Sequence, residues 1–208
     1  MRLRNVKNKE IVLNSCEILI NEPKNNKGNW KNVFNNNNPI YIEIGMGKGD
    51  FIIQNALRYP NVNFIGIEKY DSVLVRAIEK LPEDISNLKF IRIDAKEIDE
   101  IFDKEIDRIY LNFSDPWPKD RHYKRRLTSY VFLNKYENIF KKEKFIYQKT
   151  DNRSLFEFSI ISLVENDYKL EEISLDLHNS GRDNIIMSEY EKKFVAKNNV
   201  IYYLVAKK

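Results

Sequence analysis

The chain has 208 residues, 42% apolar and 32% charged, with a net charge of +4; this suits one globular domain with a real core and at most a short appendage. No run of about 18 apolar residues offers a membrane span, and the opening MRLRNVKNKE lacks the apolar centre of a signal peptide, so no membrane association and a cytoplasmic location are expected. One cysteine, Cys16, and two histidines, His122 and His178, exclude a disulfide framework and a Cys/His zinc cluster, and no metal is expected.

In chain order, the first feature is a cluster of cations, Arg2, Arg4, Lys7 and Lys9. Next, Asn21 to Pro39, NEPKNNKGNWKNVFNNNNP, reads as a mobile linker, polar and asparagine-rich, with too little apolar content to order itself. Residues 1–38 are therefore expected to form a basic arm and linker, and 39–208 the main domain. Short apolar runs with β-branched and aromatic content then begin at Tyr41 (YIEIG), Val62 (VNFIGIE), Leu88 (LKFIRID), Asp107 (DRIYLNFSD) and Lys144 (KFIYQKTD), each the length of a buried strand. Between them Phe51 to Arg58, Asp71 to Leu81, Leu127 to Phe140 and Asn152 to Glu165 carry apolar residues at helical spacing. Such alternation predicts an α/β fold, a parallel sheet with helices on both faces. KLEEISLDL and VIYYLVAKK follow without a helix-length crossover of the usual kind and read as an antiparallel edge, making seven strands.

Ligands of such sheets bind beyond the carboxyl ends of the strands, where the strand order reverses. Directly after the first run lies GMGKG, with Gly45, Gly47 and Gly49, where backbone must approach something closely. A pyrophosphate loop would need a third glycine where Asp50 stands, and no GK[ST] occurs, so neither a dinucleotide nor a P-loop fits. Acids mark four strand ends: Glu43, Glu68, Asp94 and Asp115. Asp94, ahead of Ala95 and Lys96, reads equally as a helix cap. Together they describe an acidic, glycine-lined pocket for a nucleoside that carries positive charge, and S-adenosylmethionine fits that description.

The arrangement resembles the Rossmann-like methyltransferases, with EIGMGKG as their glycine motif. More narrowly, NFSDPWPKDRHYKRR with QKTDN and SEYEKKF resembles the bacterial tRNA (guanine-N(7)-)-methyltransferase family, in order from Tyr41 to Phe194. The resemblance implies S-adenosylmethionine as cofactor, bound by Glu43, the loop glycines, Glu68, Asp94 with Ala95, and Asp115. It implies tRNA as partner, with Lys119, Asp151 and the segment Ser188 to Glu191 meeting the RNA; for the working form, monomer and homodimer both stay open. The target it implies is a guanine in the tRNA variable loop. Where the family has T-x-x-E, this chain has Ser188 in place of threonine.

The stretch after Asp115 reads as an RNA grip. Pro116 and Pro118 stiffen the loop around Trp117, an aromatic wall for the target base, while Lys119, Arg121, His122, Lys124, Arg125 and Arg126 meet phosphates. Three cations at the start of the following helix would oppose its dipole, which favours a bound polyanion. Guanine N7 already carries a free lone pair, so methylation there needs positioning rather than a general base, and Asp115 is the catalytic candidate, stabilising the cationic product. Two other acceptors or roles stay open: an exocyclic base amino group, since Asp-Pro-Trp-Pro sits where amino-directed enzymes carry Asn/Asp-Pro-Pro-aromatic, and a non-catalytic RNA-binding module.

Overall fold

A computed structural model describes residues 9–208; Arg2, Arg4 and Lys7 of the expected basic arm lie outside the described residues. The strands are β1 (Leu19–Ile20), β2 (Ile40–Ile44), β3 (Asn63–Ile67), β4 (Leu88–Ile91), β5 (Ile106–Asn112), β6 (Phe140–Thr150), β7 (Lys169–Ser174) and β8 (Tyr202–Lys207). They form one sheet in the order β1-β4-β3-β2-β5-β6-β8-β7. The first six pair in parallel, and β8 runs antiparallel between β6 and β7. The sheet thus has eight strands rather than seven. The extra one is the two-residue β1, pinned by buried Leu19 and by the Phe90 amide donating to the Ile18 carbonyl at 2.9 Å.

Helices α1 (Lys9–Ser15), α3 (Asp50–Arg58) and α4 (Asp71–Ile78) cover one face. On the other lie α2 (Trp30–Phe34), α5 (Ile98–Ile101), α6 (Tyr130–Ile139) and α7 (Arg153–Glu165). Strand periodicity sorts the two cores: Ile42, Ile44, Ile65, Ile67, Ile109 and Leu111 meet the α6 side, while Phe64, Leu88, Phe90 and Tyr110 meet the α3 side. Chain order turns back between β2 and β5, and that crevice carries the site.

Two expectations are corrected. The segment read as a mobile linker is folded onto the core. Trp30 is fully buried and its indole N–H donates to the Ile101 carbonyl at 3.0 Å, while Glu105 accepts from the amides of Gly28 and Trp30 at 2.9 and 2.8 Å. A single large aromatic, capped by one carboxylate, outweighs the polar composition around it. The connection between β7 and β8, read as lacking a helix-length crossover of the usual kind, carries a short 3-10 turn at Leu177–Asn179 and a helix, α8 (Glu189–Val195), while the antiparallel edge stands.

Candidate active site

Beyond β2 the chain turns through Gly45, Gly47 and Gly49, all with positive φ (78°, 58° and 77°). Two of these glycines do different work. A Cβ at Gly45 would meet nothing, so its backbone stays open to the cleft; one at Gly49 would lie 3.0 Å from Ala77 Cβ and 3.2 Å from Ile53 Cδ1, so that glycine lets α3 pack against α4. Asp50, the residue that argued against a dinucleotide, opens α3 and pairs with Lys80 at 2.6 Å. An acid there suits the positive end of a helix.

The crevice is a cleft of about 430 Å³ whose lining includes Gly45, Glu68, Asp94, Ala95 and Asp115, with Ile44, Ile67, Ile93 and Phe132 as apolar walls. Glu68 is buried, its Oε2 accepting from the Gly47 amide at 3.2 Å and its Oε1 from the amides of Lys69 and Tyr70 at 2.9 and 3.0 Å. Burial raises its pKa, and those three amides pull the other way. Asp94 caps the turn Ala95–Glu97 by accepting from the Lys96 amide at 3.0 Å, so its capping and lining roles coexist. Asp115 is exposed and makes no hydrogen bond among the described residues.

Glu43 does not line this cleft. It points to the α3 face, 2% exposed, with Oε1 accepting from Asn112 at 2.8 Å and Oε2 buried without a partner. Burial pushes its carboxyl up to about 8, against the pull of Asn112 and Lys149.

The loop after Asp115 is held from within. Trp117 adopts φ 42° between its two prolines, a conformation costly for a residue with a Cβ. Arg126 offsets that cost: Nε donates to the Pro116 carbonyl at 3.0 Å, Nη2 to the Trp117 carbonyl at 3.1 Å, and the guanidinium lies over Phe158 at 4.4 Å. Arg126 is therefore buried and does not face the open surface where a phosphate would sit. The dipole argument for KRR also fails, because these residues close a 3-10 turn, Asp120–Arg125, instead of opening a helix; α6 begins only at Tyr130. Trp117 and Arg125 both line the cleft, with the guanidinium 4.8 Å above the indole and His122 edge-on at 5.9 Å. Lys119 and Arg121 are exposed.

Ser188 and Glu191 form a capping box at the start of α8, each side chain bonding the other's backbone amide. Glu191 is fully buried; its two oxygens lie 3.1 Å from Lys149 Nζ, and Oε1 is 3.0 Å from His178 Nε2. It anchors α8 inside the protein and does not reach the surface. Burial lowers the Lys149 pKa, opposed by Glu191. Around this anchor, Lys149 also donates to the Ile186 carbonyl at 2.8 Å, and Glu189 pairs with Lys48 of the glycine loop at 2.9 Å. Exposed Tyr190 packs between Phe113 and Phe194, its hydroxyl 3.4 Å from half-buried Asp151. Lys149, His178, Phe113 and Tyr190 had no reading of their own in the sequence; only the S-x-x-E capping signature signalled this constellation.

S-adenosylmethionine brings ribose hydroxyls, an amino-bearing purine, an ammonium and a sulfonium. The cleft fits them: open backbone at Gly45, carboxylates at Glu68, Asp94 and Asp115, and flat apolar walls at Ile67, Ile93 and Ala95. Asp115 has an unspent pair of acceptor oxygens at the mouth. Among the described residues no group of three His, Cys, Asp or Glu is arranged to hold a metal ion. No helix among the described residues is long and apolar enough to cross a membrane.

The fold and this cleft define a Rossmann-like, S-adenosylmethionine-dependent methyltransferase. Residues 37–204 match a family model described as "Putative methyltransferase". Among solved structures, an antibiotic-related methyltransferase superposes with a TM-score of 0.64 at 19% identity, over 87% of this chain and 92% of its own. A variant of the 16S rRNA (adenine(1408)-N(1))-methyltransferase of Catenulisporales acidiphilia, solved with SAM, does so with 0.60 at 12%, over 86% and 90%. At those identities the likeness speaks to the fold. The tRNA (guanine-N(7)-)-methyltransferase of Lachnoclostridium phytofermentans is 51% identical over 209 residues, spanning 99% of this chain and 98% of its own; that of Listeria welshimeri is 54% identical over 192 residues, spanning 91% and 90%. The chain belongs to the tRNA (guanine-N(7)-)-methyltransferase family.

Proposed function

We propose that the protein transfers a methyl group from S-adenosylmethionine to N7 of a guanine in the variable loop of tRNA, acting in the cytoplasm as a monomer or homodimer. The observation that carries this reading is an unpaired carboxylate, Asp115, at the mouth of the cleft and at the root of a braced, cation-bearing loop. Gly45, Glu68 and Asp94 hold the nucleoside and methionine ends of the cofactor, which when bound supplies an electrophilic methyl on a sulfonium. Glu43 supports the loop from the opposite face of the sheet through Asn112.

Guanine N7 has a lone pair and no proton, so no residue has to act as a base. Asp115 accepts from the amino edge of the purine and stabilises the positive charge that grows on it as the methyl arrives. Trp117 and Arg125 close the cleft mouth and exclude water. Lys119, Arg121 and His122 meet RNA phosphates, Asp151 and the Ser188 hydroxyl meet the nucleotide edge, and Arg126 and Glu191 act through the segments they hold. Alignment of N7 with the methyl carbon and sulfur supplies most of the rate, a term worth about 7–11 kcal/mol where geometry is tight.

The test is incubation with unmodified tRNA and methyl-labelled cofactor, followed by digestion to nucleosides. Label in 7-methylguanosine is expected. Label in an amino-methylated base, or none in any nucleoside, overturns the proposal.

A further inference from the structure

The basic turn beside the cleft carries two aromatic rings that the chemistry above does not use. Tyr123 is 37% exposed and Tyr130 41%, the first within the turn Asp120–Arg125 and the second opening α6. Neither lines the cleft or joins a buried core. Their centroids are 6.4 Å apart with planes inclined at 38°, and Lys124 Nζ stands 5.9 Å from each ring. That separation is close to twice the spacing of stacked bases, about 3.4 Å. Rotation about the side-chain bonds of either tyrosine removes the tilt without moving backbone.

The chemistry of the surroundings selects the guest. Residues 119–125 hold the exposed cations Lys119, Arg121, Lys124 and Arg125 against one acid, Asp120. Aromatic faces interleaved with cations suit single-stranded nucleic acid, where bases stack on rings and phosphates meet the charges. Arg125, two residues from Tyr123, lines the cleft, so the turn that carries Tyr123 borders it.

We infer that Tyr123 and Tyr130 form a clamp for one unpaired base next to the target guanine, with Lys124 on the adjoining phosphate. This rests on the proposal that the chain acts on tRNA, and it adds a nucleotide contact outside the reaction centre.

The clamp is tested with the Tyr123→Leu/Tyr130→Leu and Tyr123→Phe/Tyr130→Phe pairs and with Lys124→Gln. The measurements are direct tRNA titration at several salt concentrations, steady-state methylation, cofactor affinity and melting temperature. The leucine pair should weaken tRNA binding and raise KM by about ten-fold or more, while kcat, cofactor affinity, melting temperature and the salt slope stay as in the wild type. The phenylalanine pair should restore binding. Lys124→Gln should lower the slope of log K against log salt by about 0.7–0.9. Unchanged tRNA affinity in the leucine pair overturns the clamp, and so does a phenylalanine pair as impaired as the leucine pair. A leucine pair that loses self-association while keeping tRNA affinity overturns it too, and assigns the surface to a protein contact. Failure of the wild type to make 7-methylguanosine would strike the parent proposal alone, because the titration reads the clamp independently of turnover.

Discussion

Arg126 donates to the backbone carbonyl of Trp117 at 3.1 Å, so a cation that belongs by sequence to a phosphate-binding run is spent on holding a strained tryptophan. Arg126→Lys keeps the charge and loses the planar fork. It should cost about 1.5–3 kcal/mol of stability and weaken cofactor binding, with no change in the salt dependence of tRNA affinity. Thermal melting, cofactor titration and a salt series read the three separately; a shallower salt slope with unchanged melting would return Arg126 to the RNA.

Glu191 and Lys149 are a buried ion pair whose removal from one side strands the other. Lys149→Met and Glu191→Gln should each destabilise the fold by about 3–5 kcal/mol, and the double variant should lose far less than the sum. Denaturant melts of the cycle measure the coupling. Additive losses would mean that the two side chains do not depend on one another.

Glu43 predicts a pH dependence of known sign. Its carboxyl titrates at about 8 in the fold against an ordinary 4.5, so between those values the native state holds a proton that the unfolded chain has released. Stability therefore falls as pH rises from 4.5 to about 8. Glu43→Gln removes the titration while preserving an acceptor for Asn112. Its melting temperature should exceed that of the wild type by a margin that widens across this window; a constant margin would show that Glu43 is ionised throughout.

Asp115 makes no hydrogen bond or ion pair among the described residues, so Asp115→Asn should leave the melting temperature unchanged while lowering kcat by about 100- to 1,000-fold, the range for loss of one preorganised electrostatic contact. Single-turnover methylation gives the number. A near-normal rate would move the stabilising charge elsewhere.

The strands were legible because parallel, doubly covered strands are written as continuous β-branched and aromatic runs; Ile42, Ile65 and Ile109 announce themselves. Positions of Glu68, Asp94 and Asp115 on one rim followed from those strand ends and from the switch-point rule. What composition hid was direction. Trp30 and Phe34, four apart, signalled a buried helix face, yet the asparagines around them spoke for a linker. Arg126 and Glu191 read as surface charges because their partners, two backbone carbonyls and a strand lysine, are set by tertiary contact and leave no local pattern.

The clasp between Lys48 and Glu189, with Gln54 donating to the Met187 carbonyl at 3.3 Å, fastens the insertion between β7 and β8 to the glycine loop and to α3. The insertion is consequently not a detachable module. A chimera that borrows residues 176–200 from a relative would inherit a graft without its bolts unless the residues at 48, 54 and 149 travelled with it.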